Sequence, residues 1–192
     1  MKVIEQEIHS LKNSISEMWA LVHQQLYNAG EAMLTGDKEL AYKVISRERR
    51  VNAFELKIDS DCEDIIALYA PVAIDLRFVL AMYKINTNLE RLGDFAEGIA
   101  RFVLNCKEPV LDPDLLKQLR LEEMQAQVLA MLELAKKALQ EESQDLATSV
   151  FAKDNLLDEI NAEATTILAG YIAKHPDSVL PVSYTHLRAH ET

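Results

Sequence analysis

The sequence predicts an all-α protein made of two tandem antiparallel three-helix bundles, of which the second lacks its last helix. Glycine and proline are scarce, with five of each among 192 residues. Apolar residues recur three or four positions apart, which is the spacing of an amphipathic helix. A further observation is an internal repeat at an offset of 106 residues, which relates the two halves of the chain.

The first two helices are predicted from an apolar stripe and a capping signal. Helix one extends from about Val3 to Leu34. The segment "TGD" at 35–37 ends this helix, because glycine favours a helix C-terminus, and Asp37 supplies the N-cap of helix two. Helix two ends before Pro71, since the residue that precedes a proline disfavours helical backbone.

The third helix and the following segment complete the first unit. Helix three begins between Pro71 and Ile74, because proline is tolerated in a first helical turn, and it extends to about Cys106. The segment "KEPVLDPD" at 107–114 contains two prolines and is predicted to be a linker.

The second half is predicted to contain two further helices, at about 115–141 and 145–174. We therefore divide the chain into a first repeat, a linker, an incomplete second repeat and a tail, at 1–107, 108–114, 115–181 and 182–192. The tail "VSYTHLRAHET" has no apolar period and resembles the translation of a transposase adapter used in sequencing libraries. We expect it to be non-native, and the chain to be a C-terminal truncation.

The repeat is clearest in the second helix of each unit. The segment "LAYKVISRERRVN" (40–52) matches "LATSVFAKDNLLD" (146–158). The match places two pairs of oxygen-bearing side chains at equivalent positions, Glu48 with Asn52 and Asp154 with Asp158.

Composition excludes several classes of protein. The formal net charge of −11 argues against binding to nucleic acid, which needs a basic face. No apolar segment approaches the roughly 18 residues of a membrane span, and no signal-peptide pattern opens the chain. Cys62 and Cys106 form no CxxC pair and are interpreted as small buried apolar residues in a reducing compartment. We expect a cytoplasmic protein.

The segment "NLERLGDFAEGIA" (88–100) carries the candidate chemistry. Glu90 and Asp94 lie four apart, so two like charges share one helix face at a cost of roughly 0.2–0.5 kcal/mol. Gly93 between them weakens the helix by about 1 kcal/mol relative to alanine. We expect this glycine to allow close approach of a neighbouring helix, a metal or a partner.

Carboxylates four apart place several oxygen ligands on one side of a helix. Two such helices that face each other offer the ligands preferred by hard cations such as Mg, Ca, Mn or Fe. Glu48 and Asn52 with Glu90 and Asp94 form the favoured combination, and a solvated acidic face is the alternative. Other carboxylates at this spacing are interpreted as solvated, namely Glu55, Asp59 and Glu63.

The segment "PVAIDLRFVLAMYKINTNLERLGDFAEGIA" (71–100) resembles the Pro-x-Ala-x-Asp-Leu-Arg … Glu-Arg-Ile/Leu-Gly-Asp signature of the PhoU family. "RERRVNAFELKID" (47–59) resembles the motif on that family's second helix. The resemblance covers essentially residues 1–181. It implies tandem three-helix bundles, usually dimeric, with metal ions such as Fe, Zn, Mn or Mg on Glu/Asp-x-x-x-Asp motifs.

Carried over residue by residue, the resemblance implies metal ligands in both repeats: Glu48, Asn52, Glu90 and Asp94 in the first, and Asp154 and Asp158 in the second. Asn52 departs from a strictly acidic motif, although an amide oxygen still binds hard cations. The second site would be incomplete, because its other half belongs to the missing helix. Asp75 and Arg77, with Gly93, match the family motif without an assigned role.

The resemblance also implies a regulatory, non-catalytic function. PhoU proteins repress the phosphate-starvation response, acting through a sensor histidine kinase and the ATPase subunit of the phosphate transporter. This chain is accordingly expected to be a metal-binding adaptor, and a homodimer. The alternatives are a helical scaffold without metal and a metal-dependent hydrolase or oxidoreductase; the latter lacks a recognisable acid–base partner.

Overall fold

The computed structural model describes residues 3–106 and 112–175, and within these ranges the chain forms six α-helices and no strand. The helices are α1 (Val3–Thr35), α2 (Lys38–Tyr69), α3 (Ala73–Asn105), α4 (Pro113–Gln118), α5 (Leu121–Gln140) and α6 (Gln144–Lys174). The all-α prediction is confirmed. The predicted tail, 182–192, and most of the predicted linker lie outside the described residues.

The first three helices pack against one another as long antiparallel rods joined by short turns. Their apolar stripes form the buried core, which includes Leu11, Met18, Val22, Val44, Val51, Ile58, Val79, Met82 and Leu89. The fully buried Gln25 donates a hydrogen bond from Nε2 to the carbonyl oxygen of Val44 at 2.8 Å. This bond ties α1 to the backbone of α2 inside the core.

Helices α2 and α6 begin with equivalent caps. The side chain of Asp37 accepts a hydrogen bond from the Leu40 amide at 2.9 Å, as predicted, and that of Ser143 accepts from Leu146 at 3.3 Å. Ser143 and Leu146 lie 106 positions after Asp37 and Leu40, respectively. The caps therefore agree with the repeat, while the division into two repeats stays a prediction.

Helix α5 lies against α1, and α6 lies against α5. Trp19 is buried and donates its indole N–H to the carbonyl oxygen of Leu132 at 3.2 Å. Gln127 donates to the carbonyl oxygen of Lys153 at 2.6 Å, which joins α5 to α6. In both helix pairs, α1 with α5 and α5 with α6, a side chain of one helix thus donates a hydrogen bond to a backbone carbonyl of the other.

The prediction of a single helix at 115–141 is wrong, because the chain breaks between α4 and α5. Arg120 adopts a left-handed backbone with φ of 52°. Its guanidinium group binds Glu123 and Glu159, each at 2.7 Å. The bend also lets Leu115 and Leu119 pack into the core formed by the first three helices. Tertiary contacts therefore outweigh the preference for a continuous helix.

Two further findings concern cysteine and the membrane. Cys62 is buried, as predicted, whereas Cys106 is only half-buried, and both thiols are free. None of the described helices combines the length and the apolar character needed to cross a lipid bilayer.

The N-cap of α2 gives a first prediction. We expect Asp37→Ala to lower the free energy of unfolding by about 1 kcal/mol, because the Leu40 amide loses its acceptor. Asp37→Asn keeps an acceptor and serves as the matched control. Urea denaturation followed by circular dichroism measures both variants. Equal losses for the two variants would show that the cap contributes through its charge rather than through its hydrogen bond.

Candidate functional site

Acidic and amide side chains line the contact between α2 and α3. We call this set the acidic seam: Glu48, Glu55 and Asp59 on α2, with Asn86, Glu90, Asp94 and Glu97 on α3. Members on each helix recur at spacings of three, four or seven residues, which places them along one face. Because the helices are antiparallel, the first α2 member lies near the last α3 members.

Glu48 is the most deeply placed carboxylate of the seam. Its side chain is only 4% exposed, and neither carboxylate oxygen has a hydrogen-bond partner among the described residues. Burial, followed by the charges of Glu97 and Asp94, raises the pKa of Glu48 to about 7. Glu90 adds to this rise, and the nearby amide of Gln25 opposes it. A buried acceptor pair without donors calls for a proton or a cation.

Gly93 lies where α2 and α3 approach closely, beside Val51 and the Glu48 carboxylate. A Cβ atom built on Gly93 would lie 3.0 Å from Cγ1 of Val51. It would also lie 3.4 and 3.5 Å from the two carboxylate oxygens of Glu48. Glycine thus allows α2 and α3 to approach each other at this point, as we expected for a neighbouring helix.

The interpretation of Glu55 and Asp59 as solvated is wrong. Both are half-buried, and buried Asn86 of α3 donates from Nδ2 to the Glu55 carbonyl at 2.9 Å and to Asp59 Oδ1 at 2.8 Å. Burial, then the charges of Asp59 and Asp94, raise the pKa of the Glu55 carboxyl. The misleading signal was Lys57, which points away from the seam to Asp61.

Like charges dominate the seam. Burial raises the pKa of Glu90, and the charges of Asp94 and Glu55 raise it further, while Arg91 lowers it. Within the part of the chain that the structure describes, Glu97 is the only seam carboxylate in an ion pair, with Arg101 at 2.7 Å. The remaining carboxylates repel one another without a bound counter-charge.

The other predicted ligands are placed differently. Asn52 lies exposed beside the seam on α2, as Asp94 does on α3, whereas Asp154 and Asp158 are exposed on α6. Asp75 is exposed in the first turn of α3, and Arg77 is exposed just after it. The structure thus brings Glu48, Glu90 and Asp94 together but gives no such surroundings to the pair on α6.

The donor chemistry of the seam fits a hard cation. Carboxylate and amide oxygens are the ligands of Mg²⁺, Mn²⁺, Ca²⁺ and iron ions, and Asn86 Oδ1 is a further buried acceptor without a partner among the described residues. As the side chains lie, however, no group of three His, Cys, Asp or Glu residues in the described ranges is arranged to hold a metal ion. Binding therefore requires side-chain rotation at the seam.

Comparison with known proteins identifies relatives of the chain. Residues 15–103 match the PhoU domain family. A homologue of the phosphate-specific transport system accessory protein PhoU from Aquifex aeolicus is 32% identical over 90% of this chain and 77% of the relative. The corresponding homologue 1 from Thermotoga maritima is 31% identical over 85% of this chain and 70% of the relative. The accessory protein PhoU of Escherichia coli is 33% identical over 80% and 62%.

Solved structures agree with the sequence comparison. The crystal structure of PhoU from Pseudomonas aeruginosa superposes with a TM-score of 0.82 at 27% identity, covering 94% of this chain and 85% of that one. The crystal structure of the phosphate transport system regulatory protein PhoU from Streptococcus pneumoniae superposes with a TM-score of 0.80 at 26% identity. The superposition covers 94% of this chain and 87% of that one. Both similarities extend across the helices that form the seam and those that follow it.

Gly93→Ala tests the close approach of α2 and α3. Alanine favours the helix by about 1 kcal/mol, but the added methyl group overpacks the core at a cost of about 1–3 kcal/mol. Val51 is fully buried and β-branched, so it has little freedom to yield. We expect a net loss of about 1 kcal/mol in the free energy of unfolding.

The matched control for this variant is Gly170→Ala, because nothing lies within 4 Å of a Cβ at that position in α6. This variant is expected to gain up to about 1 kcal/mol. Urea unfolding of both proteins gives the comparison. Equal stabilisation by the two substitutions would contradict the packing account.

Glu48→Gln tests the burial of the carboxylate in metal-free protein. The ordinary pKa of 4.5 rises to about 7 on folding, so between these values the unfolded state loses its proton first. The free energy of unfolding of the wild type therefore falls as pH rises through this window. The glutamine variant lacks this loss. Its free energy of unfolding therefore exceeds that of the wild type by an amount that grows to on the order of 3 kcal/mol at pH 7 and then levels off.

Urea denaturation in EDTA at pH 5, 6, 7 and 8 measures this advantage. Glu63→Gln removes an exposed carboxylate from the same helix and serves as the control. A difference between Glu48→Gln and wild type that stays constant from pH 5 to 8 would exclude the proposed protonation of Glu48.

Proposed function

The chain belongs to the PhoU family, and from this premise we propose that it is a non-catalytic, metal-binding regulator of phosphate uptake. Curated relatives are named as accessory proteins of the phosphate-specific transport system, and one solved relative is named as its regulatory protein. The observation that carries the metal proposal is the buried Glu48 carboxylate, whose two oxygens lack hydrogen-bond donors among the described residues.

A cation relieves two unfavourable features of the seam together. It supplies the missing partner of the Glu48 oxygens, and it neutralises the repulsion among Glu55, Glu90 and Asp94. A buried charge without a partner is costly, whereas a paired or metal-bound one is tolerated. The seam therefore binds a divalent or trivalent cation more readily than a solvated acidic face does.

The ligand set that we propose extends the predicted one. Glu48, Glu90 and Asp94 hold the cation, and Glu55 and Asp59 add carboxylates from α2. Asn52 contributes only from the exposed edge of the seam. An all-oxygen set favours Fe, Mn or Mg, while Zn is accepted through its carboxylate ligands. The bound ion supplies positive charge that links α2 to α3.

The regulatory role follows from this link and from family membership. Ligands on two helices make the stability of the α2–α3 contact depend on cation occupancy. In our proposal the protein acts in the cytoplasm, as a homodimer, between the ATPase subunit of the phosphate transporter and a sensor histidine kinase. Cation occupancy then adjusts the rigidity of the helices that meet those partners.

Thermal unfolding tests the metal site. Chelated protein is mixed separately with Fe²⁺, Mn²⁺, Zn²⁺ and Mg²⁺, and at a concentration 100-fold above Kd we expect the unfolding midpoint to rise by about 5–10 °C. The double variant Glu90→Gln/Asp94→Asn is expected to abolish the rise, because it removes two ligands from the seam.

The matched control is Asp154→Asn/Asp158→Asn, which removes two carboxylates at the same spacing from the exposed face of α6. The rise should persist in this variant. If no cation shifts the midpoint, the protein is a metal-free scaffold. If the control variant alone loses the rise, the site lies on α6 and not in the seam.

A further inference from the structure

The side of α2 that faces away from the seam carries a concentrated positive charge. Between positions 43 and 57 all cationic side chains are exposed, and we call them the basic stripe: Lys43, Arg47, Arg49, Arg50 and Lys57. The two acids in this segment are Glu48 and Glu55, and both belong to the seam. The opposite sides of one helix therefore carry opposite charge.

Most of the basic stripe has no counter-charge in the described part of the chain. Lys57 binds Asp61 at 2.6 Å and donates to Ser14 at 2.9 Å. Arg50 lies over the ring of Phe54, 5.9 Å from its centre. Lys43 and Arg47 form no ion pair with the described residues, nor does Arg49. Like charges at these spacings destabilise an isolated helix, so folding gives no reason for the stripe.

The stripe is exceptional in a protein with a net charge of −11. Large exposed apolar side chains lie next to it on the same helix, Tyr42 with 64% and Leu56 with 70% of its surface accessible. Exposed cations mixed with aromatic and aliphatic groups are typical of a surface that binds a macromolecule. The segment from Lys43 to Lys57 is about 21 Å long, at 1.5 Å for each helical residue.

We propose that the basic stripe binds an acidic amphipathic helix of a partner protein. A linear row of cations with apolar neighbours is complementary to a helix that presents acids beside an apolar face. An anionic membrane or a nucleic acid presents a broad negative surface, which the strongly acidic remainder of this chain repels. The stripe therefore fits a narrow partner better than an extended surface.

A second copy of the chain is a poorer occupant. The acidic seam is the complementary surface within this chain, but it lies on the opposite side of the same helix. A contact between the stripe of one copy and the seam of the next is heterologous, and such contacts form rings or open filaments rather than a two-fold dimer. The basic stripe adds a partner contact to the adaptor role proposed above, and the inference rests on that role.

Fluorescence anisotropy with a synthetic peptide tests the surface directly. The probe is a labelled 21-residue peptide of three heptads, with leucine at the a and d positions and glutamate elsewhere on the adjoining face. We expect binding that weakens with salt, and an increase in Kd of about tenfold for Arg47→Gln/Arg49→Gln/Arg50→Gln. A scrambled peptide of equal composition should bind more weakly than the helical one.

The matched control is Lys84→Gln/Lys117→Gln/Lys174→Gln, which removes three exposed cations from other helices and should leave Kd unchanged. Circular dichroism verifies that each variant is folded. Equal weakening by the two triple variants, or the absence of peptide binding, would overturn the proposal. So would stripe-dependent flotation with phosphatidylglycerol vesicles in the absence of peptide binding. The assay uses metal-free protein, so failure of the metal site would not affect it.

Discussion

The burial of the Glu48 carboxylate between α2 and α3 is the constraint on which the candidate site depends. The carboxylate lies beside Gly93, whose missing side chain lets α2 and α3 approach closely, because a methyl group at that position would crowd Val51 at 3.0 Å. Burial at this contact, followed by the charges of Glu97 and Asp94 on α3, raises the pKa of Glu48. One glycine thus couples core packing to the electrostatics of the seam.

Helix α2 carries acidic side chains on one face and basic side chains on another. Its spacing of four and seven residues places Glu48, Glu55 and Asp59 toward α3, while the cations between positions 43 and 57 lie off the seam, with Lys57 bonded to Ser14 of α1. Arg50 lies two positions after Glu48, and Lys57 lies two positions after Glu55. Residues two apart on a helix do not face each other, so these cations do not neutralise the carboxylates of the seam. The resulting separation gives two distinct surfaces on a single element, one suited to a cation and one suited to an acidic partner.

Local sequence signals were sufficient for most of the helix boundaries. Apolar periodicity and the Asp37 cap predicted α1, α2 and α3 to within a few residues. The break before α5 was missed because no local pattern shows the left-handed backbone of Arg120 or its ion pair with Glu159, which is remote in sequence. Four-residue spacing marked Glu55 and Asp59 as well as Glu90 and Asp94, but it does not show that Glu55 and Asp59 are half-buried where Asn86 bonds to α2. No local pattern reports which face of α2 meets α3.

Anomalous diffraction from crystals of the protein grown with Mn²⁺ would test the central claim most directly. Our account predicts a peak between α2 and α3 at about 2.1–2.3 Å from an oxygen of Glu48, with Glu90 or Asp94 as a further ligand. A seam without a peak, or a peak bound only by Asp154 and Asp158 on α6, would contradict it.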